Sequence, residues 1–217
     1  MKEKENQPKQ TIQYDILSWG PCVMHLRIPE DFHKKLLEEA YASRVPKLAH
    51  NAKLAGILKE EYTFRQKEIF LPWLSNILGM YDAGYQRWKN EKYKDGAPEY
   101  VLTEMWVNFQ KKHEFNPLHH HSTALSFVIY LTMPEEITQE QKEYKGSSGI
   151  PGGLGFVYGK DNRSITPKER DLYIFPAWLK HWVRPFTADV TRVSVSGNVA
   201  DKIELSKLKK AGGNGKI

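Results

Sequence analysis

The chain has 217 residues, of which 40% are hydrophobic and 12% aromatic, enough apolar material for the core of one large domain. No apolar run approaches the roughly 20 residues of a membrane-spanning helix. The polar N-terminus lacks the pattern of a secretory signal, and the single cysteine, Cys22, cannot form an internal disulfide. We therefore expect a cytoplasmic protein with no membrane contact.

The net charge of +6 is concentrated at the two ends of the chain. Residues 1–10 contain three lysines against two acids, and residues 201–217 contain five lysines against two acids. The remainder is nearly balanced and shows no basic stripe, which argues against nucleic acid as a partner. We expect a disordered tail over 1–10 and a flexible basic tail over 201–217.

The first half of the chain has mainly helical periodicity. Residues 11–28 alternate loosely and predict two short strands, and a helix is expected to open after Pro29. Apolar residues at spacings of three and four predict a long amphipathic helix over 65–93, bent at Pro72. We expect residues 11–98 to form strands and helices that pack on the rest of the chain.

The second half has the character of an all-β domain. Short strands are predicted at 101–109, 125–131, 155–158, 171–175, 181–186 and 191–199. Turn-forming residues separate these strands at near-regular spacing, which is typical of a sandwich or barrel. The polar insert 135–150 ends in a Gly- and Ser-rich run, which indicates a mobile loop that could act as a lid.

Three consecutive histidines precede the apolar strand 125–131. Side chains alternate along an extended backbone, so His119 and His121 are expected to point to one side and His120 to the other. Two imidazoles on one side can each give a nitrogen to one divalent metal ion. A solvated histidine-rich turn is the alternative on this tract alone.

Two downstream segments add to this pattern. A strand ending at Pro176 is followed by a turn and by His181, a candidate third ligand. On the last strand, Arg192 and Ser194 share a face with Ser196 and Asn198. A buried arginine is rare unless it is paired, so this face suggests a pocket for a carboxylate, with a polar outer face of an edge strand as the alternative.

These motifs resemble those of the Fe(II)- and 2-oxoglutarate-dependent oxygenases. His-x-His before a Leu-Ser-x-x-x-Tyr-Leu strand, Phe-Pro-x-Trp-Leu-x-His and Arg-x-Ser-x-Ser-x-Asn are similar to segments of oxygenases from cyanobacterial phages and marine bacteria. The resemblance spans roughly 100–200 and implies a mainly β fold, a double-stranded β-helix (jelly roll) over 99–200 with bracing helices, preceded by a helical N-terminal half. If a phage encodes the chain, its place is the host cytoplasm.

The resemblance also implies roles for individual residues. His119, His121 and His181 would bind Fe(II), and Arg192, helped by Ser194, would hold the distal carboxylate of 2-oxoglutarate. Tyr130 would contact the same carboxylate, and Asn108 the other end of the cosubstrate. The implied reaction is hydroxylation of a small molecule or a protein side chain, with decarboxylation of 2-oxoglutarate to succinate.

One position departs from the family, because most members have Asp or Glu where this chain has His121. Glu114, a water or a lid residue could complete the ligand set instead. Two other readings of the chain stay open. One is a cupin-type dioxygenase with three histidine ligands and no 2-oxoglutarate, and the other is a non-catalytic jelly-roll binding or virion-associated module.

Overall fold

Two antiparallel sheets form the body of the protein. A computed structural model describes residues 13–51, 55–90, 98–146, 149–203 and 205–206. The predicted tail 1–10, and the predicted tail 201–217 apart from 201–203 and 205–206, lie outside these residues. No helix of the described ranges is long and apolar enough to cross a membrane.

The strands follow the short apolar and alternating runs of the sequence. They are β1 (Tyr14–Ser18), β2 (Cys22–Arg27), β3 (Glu61–Thr63), β4 (Tyr100–Gln110), β5 (Asn116–His119), β6 (Leu125–Thr132), β7 (Leu154–Tyr158), β8 (Asp161–Ile165), β9 (Asp171–Pro176), β10 (Lys180–Val183) and β11 (Arg192–Asp201). The larger sheet has the order β1-β2-β9-β6-β11-β4-β3, and the smaller sheet has the order β5-β10-β7-β8. The arrangement is of the jelly-roll type.

The described ranges contain the helices α1 (Glu30–Ala42), α2 (Leu71–Lys89) and α3 (Glu135–Glu143), and residues 202–203 and 205–206 are also helical. The long helix predicted over 65–93 begins six residues later than expected. Its proline, Pro72, lies in the first turn, where the missing N–H costs no hydrogen bond, so it starts the helix rather than bending it. Residues 91–93 of that prediction lie outside the described residues.

The faces of the larger sheet pack against different partners because side chains alternate along each strand. On β6, Phe127 and Ile129 belong to the core shared with α1 and α2, and Phe127 packs 5.2 Å from the ring of Phe70. The intervening Val128 and Tyr130 belong to a second core that includes Phe156 of β7. This second core lies between the two sheets, and its layer contains the candidate site.

Most of the strands and helices predicted from the sequence occur in the structure. The six strands predicted in the second half all occur, as do the first two strands and the helix after Pro29. The helical N-terminal half is not confirmed, because β1, β2 and β3 interrupt it and join the larger sheet. The insert 135–150 is not a loop throughout, since its first nine residues form α3. Strands β3, β5 and β8 were not predicted.

Gly197 of β11 lies so close to its neighbours in the larger sheet that a larger side chain at this position should destabilise the fold. A Cβ at this position would lie 2.4 Å from the Phe127 ring and 2.7 Å from the backbone oxygen of Glu104. We expect Gly197→Ala to lower the free energy of unfolding by about 1–3 kcal/mol through overpacking. Chemical denaturation measures this change.

The matched control is Gly79→Ala in α2, where a Cβ would meet nothing within 4 Å. Alanine favours a helix over glycine by about 1 kcal/mol, so this variant should be as stable as the parent or more so. Equal losses in the two variants would contradict the packing explanation.

Candidate metal and carboxylate site

The pairing of β5 with β10 brings two distant histidines together. His181 is the antiparallel partner of His119, so both side chains point to the same face of the smaller sheet. Their ring centroids lie 4.2 Å apart. His181 is buried, and His119 is half-buried at the end of its strand.

His121 joins this pair from the segment that follows β5. Its backbone N–H donates to the carbonyl of Ala177, 2.9 Å away, in the turn before β10. Its ring centroid lies 5.1 Å from that of His119 and 5.3 Å from that of His181. One nitrogen from each ring lies within 4.8 Å of the other two, so the three could hold one metal ion. His120 is exposed and is not part of this group.

Backbone carbonyls fix the tautomer of two of these rings. Nδ1 of His119 lies 2.7 Å from the carbonyl oxygen of Pro117, and Nδ1 of His181 lies 2.8 Å from that of Leu179. Because a carbonyl only accepts, each Nδ1 must carry the hydrogen and donate it. The Nε2 lone pair of each ring is then available to a metal, as in many protein metal sites.

The three histidines line a cavity between the two sheets. Its other walls come mainly from apolar residues of both sheets, with two serines and one asparagine among them. They are Trp106, Asn116, Ser126, Phe127, Val128, Leu154, Phe175, Val183, Ser196 and Gly197. Trp106 lines this cavity, and Phe127 borders it although its ring packs in the core shared with α1 and α2. Trp182 lies outside the cavity, because its ring packs over Gly155 and beneath the guanidinium of Arg184.

A row of polar side chains crosses the larger sheet next to this cavity. Asn108, Ser194 and Tyr130 are register partners on β4, β11 and β6, so their side chains point to the same face of the larger sheet. This is the face towards the smaller sheet, called the inner face below. The amide nitrogen of Asn108 donates to Ser194 Oγ at 3.4 Å and to Ser196 Oγ at 3.3 Å. Ser196 also lines the histidine cavity, so the row and the cavity are continuous.

Arg192 lies on the same inner face of β11 and is 3% exposed. Its guanidinium donates to the carbonyl of Gly152 at 2.6 Å and to the side-chain oxygen of Gln110, and it lies 5.1 Å from the ring centroid of Tyr130. Its Nε has no partner, and no acidic side chain of the described residues pairs with it. Burial lowers the pKa of Arg192, since the charged form loses its hydration. A buried guanidinium whose Nε–H has no acceptor is destabilising unless an anion pairs with it.

Tyr130 adds a second unsatisfied group beside Arg192. Its hydroxyl is fully buried and has no hydrogen-bond partner among the described residues. Burial raises its pKa to about 12, so the hydroxyl keeps its hydrogen and can donate it. The side-chain oxygen of Asn108 is likewise without a partner. These atoms, with Nε of Arg192, form a buried polar surface that the protein leaves incomplete.

Some residues occupy places that the sequence did not indicate. Glu114, the alternative metal ligand, is not in the histidine group, because its carboxylate accepts from the backbone N–H groups of Lys59 and Lys111. Gln110, which positions Arg192, was missed, although it has the same strand phase as Trp106 and Asn108 on β4. The alternation of side chains along β4 could therefore have identified Gln110 as a residue of the same face.

Comparisons with known proteins agree with this geometry. Residues 104–198 match a protein-family model described as "Putative 2OG-Fe(II) oxygenase". This range contains the three histidines and the polar row, and it runs from β4 to β11. No curated protein matches the chain in sequence.

Solved structures share the fold at low sequence identity. A prolyl-4-hydroxylase from Pseudomonas putida aligns with a TM-score of 0.57 and 14% identity, over 83% of this chain and 92% of that one. A Trichoplax adhaerens prolyl hydroxylase, in complex with a hypoxia-inducible-factor peptide, aligns with a TM-score of 0.57 and 15% identity, over 87% and 86%. The alpha-ketoglutarate-dependent epimerase SnoN from nogalamycin biosynthesis gives 0.54 and 15%, over 82% and 77%.

These likenesses establish a common fold and leave the reaction open, since hydroxylases and an epimerase share it. The family match supplies what the fold alone does not, because it falls on the segment that carries the histidines, Tyr130 and Arg192. Residues 104–198 of this chain are therefore similar in sequence to the 2-oxoglutarate- and Fe(II)-dependent oxygenases, and the fold is one that such enzymes share.

Proposed function

We propose that this protein is a 2-oxoglutarate- and Fe(II)-dependent oxygenase that hydroxylates a C–H bond of a small molecule or a protein side chain and converts 2-oxoglutarate to succinate. His119, His121 and His181 are the proposed metal ligands, and Arg192 is the proposed anchor of the cosubstrate. One observation carries the proposal: three imidazole nitrogens lie within 4.8 Å of one another, and the polar row that starts at their cavity ends at a buried arginine with no acidic partner among the described residues. Two of the fold relatives above are described as prolyl hydroxylases, which supports the same reaction class here.

The histidine group suits a divalent cation because all three rings favour the neutral form. Burial is the main cause, and it lowers the pKa of His119, lowers that of His121 to about 4 and lowers that of His181 to about 3. Neighbouring imidazoles lower these values further. Neutral rings are ligands, whereas protonated rings are not. Iron, when bound, supplies the activation of oxygen that the side chains cannot provide.

The polar row suits a dicarboxylate. Arg192 offers an unpartnered Nε–H and Tyr130 offers its hydroxyl, so the two donors can bind one carboxylate at the end of the row away from the histidines. Ser194 and Asn108 lie between this end and the cavity. Three neutral ligands leave a metal ion its full charge, which a dianionic cosubstrate offsets. In the cupin alternative, which has no dicarboxylate, the buried charge of Arg192 has no counterpart.

The first prediction concerns the proposed metal ligand His181. We expect His181→Ala to lower conversion of 2-oxoglutarate to succinate in the presence of Fe(II) and oxygen by about 100-fold or more, because one of three ligands is lost. Metal content and succinate are both measured. The matched control is His120→Ala, an exposed neighbour outside the group, which should retain both. Wild-type activity in the His181 variant would reject the ligand assignment.

The second prediction concerns cosubstrate binding by Arg192. Removing one partner of a buried charge pair costs about 2–5 kcal/mol, so Arg192→Ala should raise the dissociation constant of 2-oxoglutarate on the order of 100-fold. Calorimetric titration of the metal-loaded protein measures this constant. Arg163→Ala, at an exposed position of β8, is the control. If both variants bind 2-oxoglutarate equally well, Arg192 is not the anchor.

The third prediction concerns pH and the metal-free protein. The pKa of His121 is about 4 in the folded state and about 6.5 in an unfolded chain, so only the unfolded chain takes up a proton between these values. The stabilising contribution is present above pH 6.5 and is lost as the pH falls towards 4. We expect the loss to be about 3 kcal/mol, measured by denaturant titration as the difference between wild type and His121→Ala. A difference independent of pH would show that His121 is not buried as described.

A further inference from the structure

Asn198 is the last residue of the Arg-x-Ser-x-Ser-x-Asn motif, and the proposed metal and cosubstrate groups do not include it. It is buried on the inner face of β11, between its register partners Ser126 on β6 and Glu104 on β4. The hydroxyl of Ser126 donates to the side-chain oxygen of Asn198 at 2.8 Å. The amide nitrogen of Asn198 donates to a carboxylate oxygen of Glu104 at 3.4 Å. These three side chains form a second polar row, called the Ser126 row below.

The Ser126 row reaches the histidine cavity at the end away from the proposed carboxylate anchor. Ser126 itself lines this cavity. Along β6 it lies four residues, or about 13 Å, from Tyr130. Its register partner on β9 is Phe175, and the ring centroid of Phe175 lies 4.8 Å from that of His181. Ser126 therefore borders the proposed metal position and is distant from the group that would hold the far carboxylate of the cosubstrate.

Glu104 fixes the direction of each hydrogen bond in the Ser126 row. A carboxylate only accepts, so the amide nitrogen of Asn198 faces Glu104 and its oxygen faces Ser126. No ion pair among the described residues competes for the carboxylate of Glu104. The hydroxyl of Ser126 then gives its hydrogen to Asn198, and its lone pairs are left for the cavity. Ser126 is therefore a hydrogen-bond acceptor at the cavity wall.

Ser196, the other serine of the cavity wall, has the opposite arrangement. Its oxygen accepts from the amide nitrogen of Asn108 at 3.3 Å, and this bond leaves its own hydrogen available to donate. A donor at this position complements 2-oxoglutarate, because the carboxylates and the keto group of that molecule only accept. The acceptor Ser126 complements a different molecule, one that carries an O–H or N–H group.

We propose that Ser126 accepts a hydrogen bond from an O–H or N–H group of the substrate, and that Asn198 and Glu104 are positioning residues that set its direction. This inference rests on the proposed function, since it takes the histidine cavity as the reaction centre. It narrows the substrate class to alcohols, amines or amides whose donor group lies near the carbon that is hydroxylated. An analogue without the donor would leave a buried acceptor unpaired, which disfavours its binding.

The test uses the full chain loaded with Mn(II) and 2-oxoglutarate and two neutral probes of nearly equal size. Acetamide carries an NH₂ donor where acetone carries a methyl group, and both have the same carbonyl acceptor. Mn(II) increases the proton relaxation rate of a probe that binds near it, so a titration gives a dissociation constant for each probe. The ratio of the two constants measures the preference for a donor. Differences in hydration between the probes cancel when this ratio is compared between variants.

We expect Ser126→Ala to lower the preference for acetamide about three- to tenfold, because one neutral hydrogen bond to the donor is lost. Ser75→Ala, at an exposed position of α2, is the control and should keep the preference. An unchanged ratio in the Ser126 variant would overturn the proposal.

Glu104→Gln tests the positioning role without changing the cavity wall. A glutamine at this position can donate to the oxygen of Asn198, and the amide of Asn198 can then turn its nitrogen towards Ser126. Ser126 would accept that bond and offer its own hydrogen to the cavity, so the preference for acetamide should fall although Ser126 is unchanged. Glu99→Gln, in an exposed ion pair with Lys202, is the matched control and should keep the preference.

A purely structural role of Glu104 would weaken the binding of both probes equally and leave their ratio as in wild type. That result would reject the positioning role. Glu104→Gln also keeps the size of the side chain, so it decides the question if Ser126→Ala does not fold.

Two further results separate this inference from the proposed function. If Ser126→Ala changes the relaxation rate of water protons and leaves the preference between the probes intact, Ser126 contacts a water on Mn(II) and the substrate contact is wrong. If Mn(II)-loaded wild type does not bind 2-oxoglutarate, the proposed function itself is contradicted. Normal 2-oxoglutarate binding with the same probe ratio in wild type and Ser126→Ala contradicts the inference alone.

Discussion

The antiparallel pairing of β5 with β10 is the constraint on which the candidate site depends. It joins two segments that are about sixty residues apart in sequence and sets His181 opposite His119. The carbonyls of Pro117 and Leu179 then orient both rings through Nδ1. Any shift of this register by one residue would turn one imidazole away from the other, since side chains alternate between faces. The juxtaposition of His119 and His181 is thus a property of strand pairing and not of local sequence.

The inner face of the larger sheet contains several buried polar groups whose hydrogen bonds are unsatisfied. Four buried polar groups there lack a full set of hydrogen bonds: the Arg192 Nε–H, the Tyr130 hydroxyl, the Asn108 side-chain oxygen and the Glu61 carboxylate. Folded proteins satisfy nearly all buried polar groups, so a concentration of exceptions on one face marks a surface shaped for other molecules. Donors occupy the centre of the sheet and an acid occupies its edge.

The sequence predicted those parts of the structure that long patterns specify. The strand 125–131 and the Arg192 strand were predicted because apolar runs and alternation extend over seven or more residues, and the phase of β11 followed directly. By contrast β3, β5 and β8 have three to five residues of mixed polarity, too few for a period to show. Glu61 was therefore missed, because its burial depends on pairing with β4 and no local signal encodes that pairing. The late start of α2 has a local cause in Pro72.

Strand β3 has a consequence for how such an enzyme can diversify. It contributes three residues at the margin of the larger sheet and is paired with β4 alone. The proposed metal ligands and the proposed carboxylate-binding residues lie outside β3, so exchanges in β3 leave them in place. Substitutions in this short edge strand can therefore change the margin of the larger sheet without disturbing the pairing of β5 with β10.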